Sequence, residues 1–314
     1  MKLEEYKKYD IHMVDFDYLK SKCFFKIPTF DDCYCSNDLE SNYPKFIIDS
    51  FDKITYFQLS YIVRRLIRNY HERKIFDMSM TILYWLIEKG EEYLKHDRNV
   101  EIIQRLSSNY LLLGELLYDD KGLFVLSYDY HIDDYGIEKD RELAVYYWEK
   151  AYLINPNSTS AIYNLGMYHY CNYDYYQAFG FLIRTGDYCN DGRWYYRLTD
   201  NVYHDISVFL ELGDKFYKNY WSFFGEKDEK KAFLCYERAY LIAEEYYWDE
   251  KENIEDVLYN LARCYIQGIG TKINIAKGRS LLRKLNYELN RIGKSISVVD
   301  DYDNIIKDYY IKSK

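Results

Sequence analysis

Two segments of this chain lie over one another: Ala144-Val-Tyr-Tyr-Trp-Glu-Lys-Ala151-Tyr-Leu-Ile154 and Ala232-Phe-Leu-Cys-Tyr-Glu-Arg-Ala239-Tyr-Leu-Ile242. Each carries alanines seven residues apart, which is two helical turns, so both alanines face one side. Small side chains there let a neighbouring helix approach closely, while Trp148 or Tyr236, one turn before the second alanine, fills the space beside it. A close-contact helical face that recurs along the chain points to an array of packed helices.

A second pair of segments lies upstream of such helices. Ile162-Tyr-Asn-Leu-Gly166-Met-Tyr-His-Tyr170 matches Leu258-Tyr-Asn-Leu-Ala262-Arg-Cys-Tyr-Ile266, and Leu113-Gly114 and Leu212-Gly213 fit the same frame. The four anchors Gly114, Gly166, Gly213 and Ala262 recur roughly every 50 residues, a repeat with loops of variable length. Glycine inside a helix costs about 1 kcal/mol relative to alanine. Its persistence is explained if a partner helix crosses at that point and leaves no room for a side chain.

Composition agrees with a folded helical chain. The 314 residues are 48% apolar and include 40 Tyr, 16 Phe and 5 Trp, an aromatic content foreign to disordered chains. Only 3 Pro and 14 Gly occur, too few for the tight turns of an all-β fold.

Against this frame the chain resembles the Sel1-like and tetratricopeptide repeat families. Tyr163-Asn164-Leu165-Gly166 through Tyr176-Gln177-Ala178 resembles a tetratricopeptide repeat. Gly136-Ile137-Glu138-Lys139-Asp140 followed by Ala144, Trp148, Lys150 and Ala151 resembles the second half of a Sel1-like repeat. Tyr259-Asn260-Leu261-Ala262 through Tyr265, Gly268, Gly270, Arg283 and Lys284 resembles a whole Sel1-like unit. The departures are a long insertion, Asp119 to Tyr135, Gly278 where the Sel1-like pattern has alanine, and a long step from Gly213 to Ala232 in the third unit.

The expected fold is therefore all-α, an α-solenoid of antiparallel helix pairs. Residues 1–50, with Pro28, Pro44 and runs of Asp, Asn and Ser, read as an irregular N-terminal segment. Residues 51–100 read as a degenerate capping helix pair: Phe57 to Tyr70 and Ile75 to Leu94 are amphipathic, with Arg64, Arg65 and Arg68 on an exposed stripe. Residues 101–290 hold the repeats, and 291–314 a C-terminal capping helix, Val298 to Ile311.

Nothing in the sequence assembles a catalytic constellation. There is no G-x-S-x-G, H-E-x-x-H or P-loop, and His169, three residues after Gly166, falls at a packing position. Acidic pairs such as Asp133-Asp134 lack the spacing of a calcium loop. Cys33-x-Cys35 with Cys23 is tighter than zinc spacing and has no second pair, so ordinary thiols are expected and no metal or cofactor is implied. Cys171, Cys189, Cys235 and Cys264 read as small packing residues.

The formal charge of −9 makes nucleic acid and anionic membranes poor partners. No signal peptide and no membrane span of about 18 apolar residues is visible, and a cytoplasmic protein is expected. What the resemblance implies is a binding face made by the first helix of each pair. It places Glu115 and Tyr118, then Tyr163, Met167 and Tyr170, then Asp214 and Tyr217, and finally Asp256, Tyr259 and Arg263 along a groove rich in tyrosine and carboxylates. Ser108, Leu111, Asp119, Ser160, Cys171, Ser207, Leu210, Lys218, Ile266 and Gln267 complete the same set. The Lys, Asn and Arg of the carboxylate-clamping tetratricopeptide subgroup are replaced by Leu111, Glu115, Tyr163 and Met167, so that function is not expected. The expected function is a non-catalytic scaffold or adaptor binding a peptide or protein. A bacterial immunity or antitoxin protein that neutralises a basic toxin is the alternative.

Overall fold

A computed structural model describes residues 2–22, 45–48, 51–69, 72–118, 136–185, 202–218, 227–246 and 253–291. Eleven helices lie among them: α1 (Phe16–Lys22), α2 (Tyr56–Asn69), α3 (Arg73–Leu94), α4 (Val100–Leu117), α5 (Arg141–Ile154), α6 (Thr159–Cys171), α7 (Tyr175–Leu182), α8 (Val202–Lys218), α9 (Glu229–Tyr246), α10 (Ile254–Gln267) and α11 (Ile275–Arg291). The fold class is all-α, an α-solenoid type of stacked helix pairs. One short antiparallel ladder, β1 (Lys45–Ile48) with β2 (Phe51–Thr55), precedes α2. The expected helix at Val298 to Ile311, the insertion Asp119 to Tyr135 and Cys23, Cys33, Cys35 and Cys189 lie outside the described residues.

The chain divides into two compact units, residues 1–168 and 169–314. In the first, α4 and α5 run antiparallel. The Asp140 N–H bonds to the Leu117 carbonyl at 3.0 Å, Tyr147 stacks on Tyr110 at 5.9 Å, and the Ser107 hydroxyl reaches the Ala151 carbonyl at 3.0 Å. Between these contacts, Gly114 faces Trp148 so closely that an added Cβ would overlap the indole and sit 2.9 Å from the Ala144 carbonyl. Trp148 and Ala144 are fully buried. The second unit repeats the device, with Gly213 against the Tyr236 ring. Gly278 of α11 takes the alanine's place because Ile266 and the Ala262 carbonyl leave no space there.

The same device opens the array, where periodicity alone is weak. Gly90 of α3 lies against the Tyr56 hydroxyl of α2, 2.5 Å from where a Cβ would stand. That hydroxyl donates to the Leu86 carbonyl at 2.9 Å, and Ser60 donates to Asn109 at 2.7 Å, all four residues being buried. The polar groups joining α2, α3 and α4 are thus paired, as burial requires. Of the expected exposed arginine stripe, Arg64 turns in to donate to the Ser108 carbonyl, while Arg65 stays exposed beside Tyr61.

Loop length varies between repeats, yet the pairs α4–α5, α6–α7, α8–α9 and α10–α11 close through the same bonds. The N–H of Asp140, Asp174, Asp228 and Asn274 donates to the carbonyl of Leu117, His169, Phe216 and Tyr265 respectively, at 2.7–3.1 Å. Each acceptor stands three residues after an anchor, namely Gly114, Gly166, Gly213 and Ala262. Each donor residue then caps the second helix, its side chain accepting the N–H of the third helical position at 2.9–3.2 Å. One residue therefore ends the loop, starts the helix and fastens it to its partner, which lets the loop between vary.

The segment expected to be irregular is partly ordered helix. Two 3-10 turns, Leu3–Lys8 and Ile11–Met13, pack along α3, and Tyr18 of α1 meets Lys74 at its start, with Tyr6, Val14, Phe16 and Leu19 buried. The Tyr6 hydroxyl donates to Asp77 and accepts from Arg73 at 3.1 Å, and Arg73 pairs with Asp77 at 2.7 Å. These contacts span about 70 residues of chain, which is why local patterning does not reveal them.

Candidate functional site

In the second unit, α8 and α10 lie side by side and run parallel. Ser207 accepts from Asn253 at 3.0 Å, and ten residues further along each helix Arg263 sits over the Tyr217 ring at 4.4 Å. This is the neighbour relation expected of first helices in successive repeats, and it brings Asp214, Tyr217, Asp256, Tyr259 and Arg263 onto two adjacent helices. Arg263 also faces the Tyr259 ring at 5.9 Å. Its Nε and Nη2 are buried with no hydrogen-bond partner among the described residues, so the two tyrosine rings hold its charge. Lys227 lies against Tyr217 as well, at 4.4 Å. Asp256 is exposed and Tyr259 partly so.

Asp214 has a different role from the one expected. It accepts the Tyr236 hydroxyl at 2.7 Å, which serves the α8–α9 contact, and the Lys218 ammonium at 2.5 Å, one turn further along α8. Burial, then the Asp214 carboxylate, pushes the Tyr236 phenol well above its ordinary pKa. Tyr170 donates to Glu211, an exposed α8 carboxylate absent from the expected set. Burial and then that bond raise its phenol too.

Six expected groove residues face the packed interior instead, Leu111, Leu210 and Ile266 among them. Met167 is fully buried, Tyr163 is 7% exposed, and Tyr118 is 8% exposed with its ring 4.9 Å from Trp148. Glu115 is half-buried. The offsets that define a groove in regular repeats carry these side chains inward because apolar packing claims them.

The first unit contains an open cleft of about 1330 Å³ that none of the expected groove residues lines. One wall is the N-terminal segment from Tyr6 to Phe16; the others come from α3, Tyr110 and Leu113 of α4, and Tyr146, Tyr147 and Lys150 of α5. Tyr9 and Tyr146 are 56% and 48% exposed. Below Lys7, the hydroxyls of Tyr84 and Tyr147 are buried. They approach one another without the geometry of a hydrogen bond. Burial lifts the Tyr84 phenol far above its ordinary range, with Tyr147 adding to it. Burial alone would depress the Lys7 ammonium, but its 2.7 Å pair with Glu4 outweighs this and raises it. A sequence signal for the cleft does exist: Tyr146-Tyr147 stands where the second copy of the frame has Leu234-Cys235.

A Sel1 repeat family model matches residues 121–154, 159–174, 210–241 and 256–285. The last three matches begin in α6, α8 and α10, and the first ends with α5. The first match starts at residue 121, inside the stretch set apart as an insertion. No curated protein matches the chain.

Proposed function

Because this chain belongs to the Sel1-like repeat family, whose repeats generally mediate protein–protein interaction, we propose that it is a non-catalytic scaffold binding a protein or peptide partner on the α8–α10 face. The observation carrying the reading is the convergence of Tyr217, Tyr259 and Arg263 from two parallel helices, with exposed Asp256 one turn before Tyr259 on α10. Tyrosine and arginine dominate binding energy at protein interfaces because they offer large, rigid contact area with polar ends. A formal charge of −9 disfavours nucleic acid as the partner. No helix among the described residues is long and apolar enough to cross a membrane. A cytoplasmic setting fits the buried thiols of Cys235 and Cys264, which pack as small apolar groups.

The test is affinity capture from the native organism, followed by calorimetry of the captured partner with purified variants. Tyr259→Ala and Asp256→Lys alter the face without touching the Gly213–Tyr236 crossing. Each should weaken binding by about ten-fold or more with helical content unchanged. Retention of full affinity in the double variant refutes the α8–α10 face as the docking site.

A further inference from the structure

We propose that the exposed face of α11 is a second binding surface, separate from the α8–α10 face, and that it takes an acidic helix of a partner protein. The chain as a whole carries a formal charge of −9, yet residues 272–291 hold six Lys and Arg against a single Glu. Lys272, Arg279 and Arg283 are exposed and make no ion pair or hydrogen bond with the described residues. The acids around them are engaged or stand apart. Glu288 is 7% exposed and pairs with Arg291 at 2.9 Å, Glu244 of α9 accepts the Lys284 ammonium, and Glu237 accepts the Tyr265 hydroxyl at 3.3 Å. Glu255 and Asp256 stand in the first turn of α10, whereas Gly278, next to Arg279, packs on Ala262 and Ile266 toward its other end.

Arg279, Arg283 and Tyr287 recur every fourth residue and so form one stripe along α11, with Tyr287 67% exposed. The copies of the Arg283 position in α5 and α9 are Glu149 and Glu237, so the repeat itself does not require a cation there. Like charges one turn apart repel each other on the free helix. Carboxylates one turn apart on a partner helix have the same spacing and remove that repulsion, each accepting paired N–H bonds from a guanidinium. Tyr287 continues the stripe with an aromatic surface for the apolar side of that helix. The same observations disfavour nucleic acid and anionic membranes. Lys272, Arg279 and Arg283 provide few phosphate contacts, and the acidic remainder of the chain repels an extended polyanion, whereas a short acidic helix meets the stripe alone.

The probe is a short fluorescein-labelled alanine-based peptide with Glu at every fourth position, titrated into the full chain by fluorescence anisotropy, with Lys in place of Glu as the control. The Glu peptide should bind, more weakly as salt is raised, and the Lys peptide should not. Arg279→Gln with Arg283→Gln should weaken binding by about ten-fold and leave the melting temperature unchanged or higher, because the pair repels in the free protein. Arg279→Lys with Arg283→Lys should fall between that variant and the native chain, since the charge stays and the paired N–H bonds go. Unchanged binding in the glutamine variant overturns the proposal, as does equal or tighter binding of the Lys peptide. Tighter binding of a labelled oligodeoxythymidine, or of phosphatidylserine vesicles, assigns the face to nucleic acid or membrane and overturns it as well. Tyr259→Ala should bind the probe normally, and loss of binding there overturns the separateness of the two faces. Failure of the Glu peptide to bind overturns the α11 proposal and leaves the α8–α10 reading intact.

Discussion

Gly213→Ala should destabilise the second unit although alanine is the better helix former. The added Cβ would lie 2.5, 2.8 and 2.9 Å from three carbons of the Tyr236 ring, where ordinary contact begins near 3.4 Å. Tyr236 is fully buried and its hydroxyl is held by Asp214 at 2.7 Å, so the ring cannot step aside without giving up that bond. Helix propensity favours the alanine by about 1 kcal/mol. Overpacking costs about 1–3 kcal/mol, and a hydrogen bond to a charged group is worth about 1.5–3 kcal/mol. Steric cost wins, and a net loss of about 2–4 kcal/mol is expected. Gly180→Ala is the internal control. It lies within α7 with nothing within 4 Å of the new methyl, and should stabilise by about 0.5–1 kcal/mol. Urea denaturation followed by circular dichroism measures both as shifts in midpoint at constant slope. In a Tyr236→Leu background the Gly213→Ala penalty should largely vanish, the signature of two residues in direct contact. If Gly213→Ala instead stabilises the protein as Gly180→Ala does, the helices do not cross at that glycine.

Asp228 caps α9 and pairs with Lys231, so Asp228→Ala should cost about 1 kcal/mol in the same assay. Although burial opposes it, its hydrogen bonds with Lys231 hold the carboxyl below its ordinary pKa. Its contribution is therefore full above the ordinary carboxylate range and is lost as pH falls through the lowered value; in Asp228→Asn that part of the acid titration of stability should disappear. Burial pushes the Cys264 thiol up to about 12 and the Cys235 thiol higher still. In native protein at pH 8 neither should react with a thiol-specific disulfide reagent, whereas urea should release both, as mass spectrometry of the labelled peptides will show.

The face proposed for binding was partly legible in the chain and partly not. Arg263, Tyr259 and Tyr217 could be placed together because a repeat puts equivalent residues on equivalent faces. Glu211 falls outside the groove offsets, and its bonds to Tyr170 and Tyr175 follow only from how α6 and α7 pack against α8. Met167 and Tyr163 were misplaced because an offset rule cannot say which face of a helix its neighbours will cover.

By itself, the sequence determined the helix pairs and their crossing points. A small anchor opposite an aromatic, with an Asp or Asn four residues before the second small residue, is local information written within one or two turns, as at Gly114 with Asp140, Ala144 and Trp148. Only the tertiary structure decided that the N-terminal residues dock on α3 and enclose a cleft. Tyr6 finds Arg73 and Asp77 across some 70 residues, and Tyr84 meets Tyr147 across about 60. Such contacts follow from how helices stack after they form, and no periodicity in the chain encodes them.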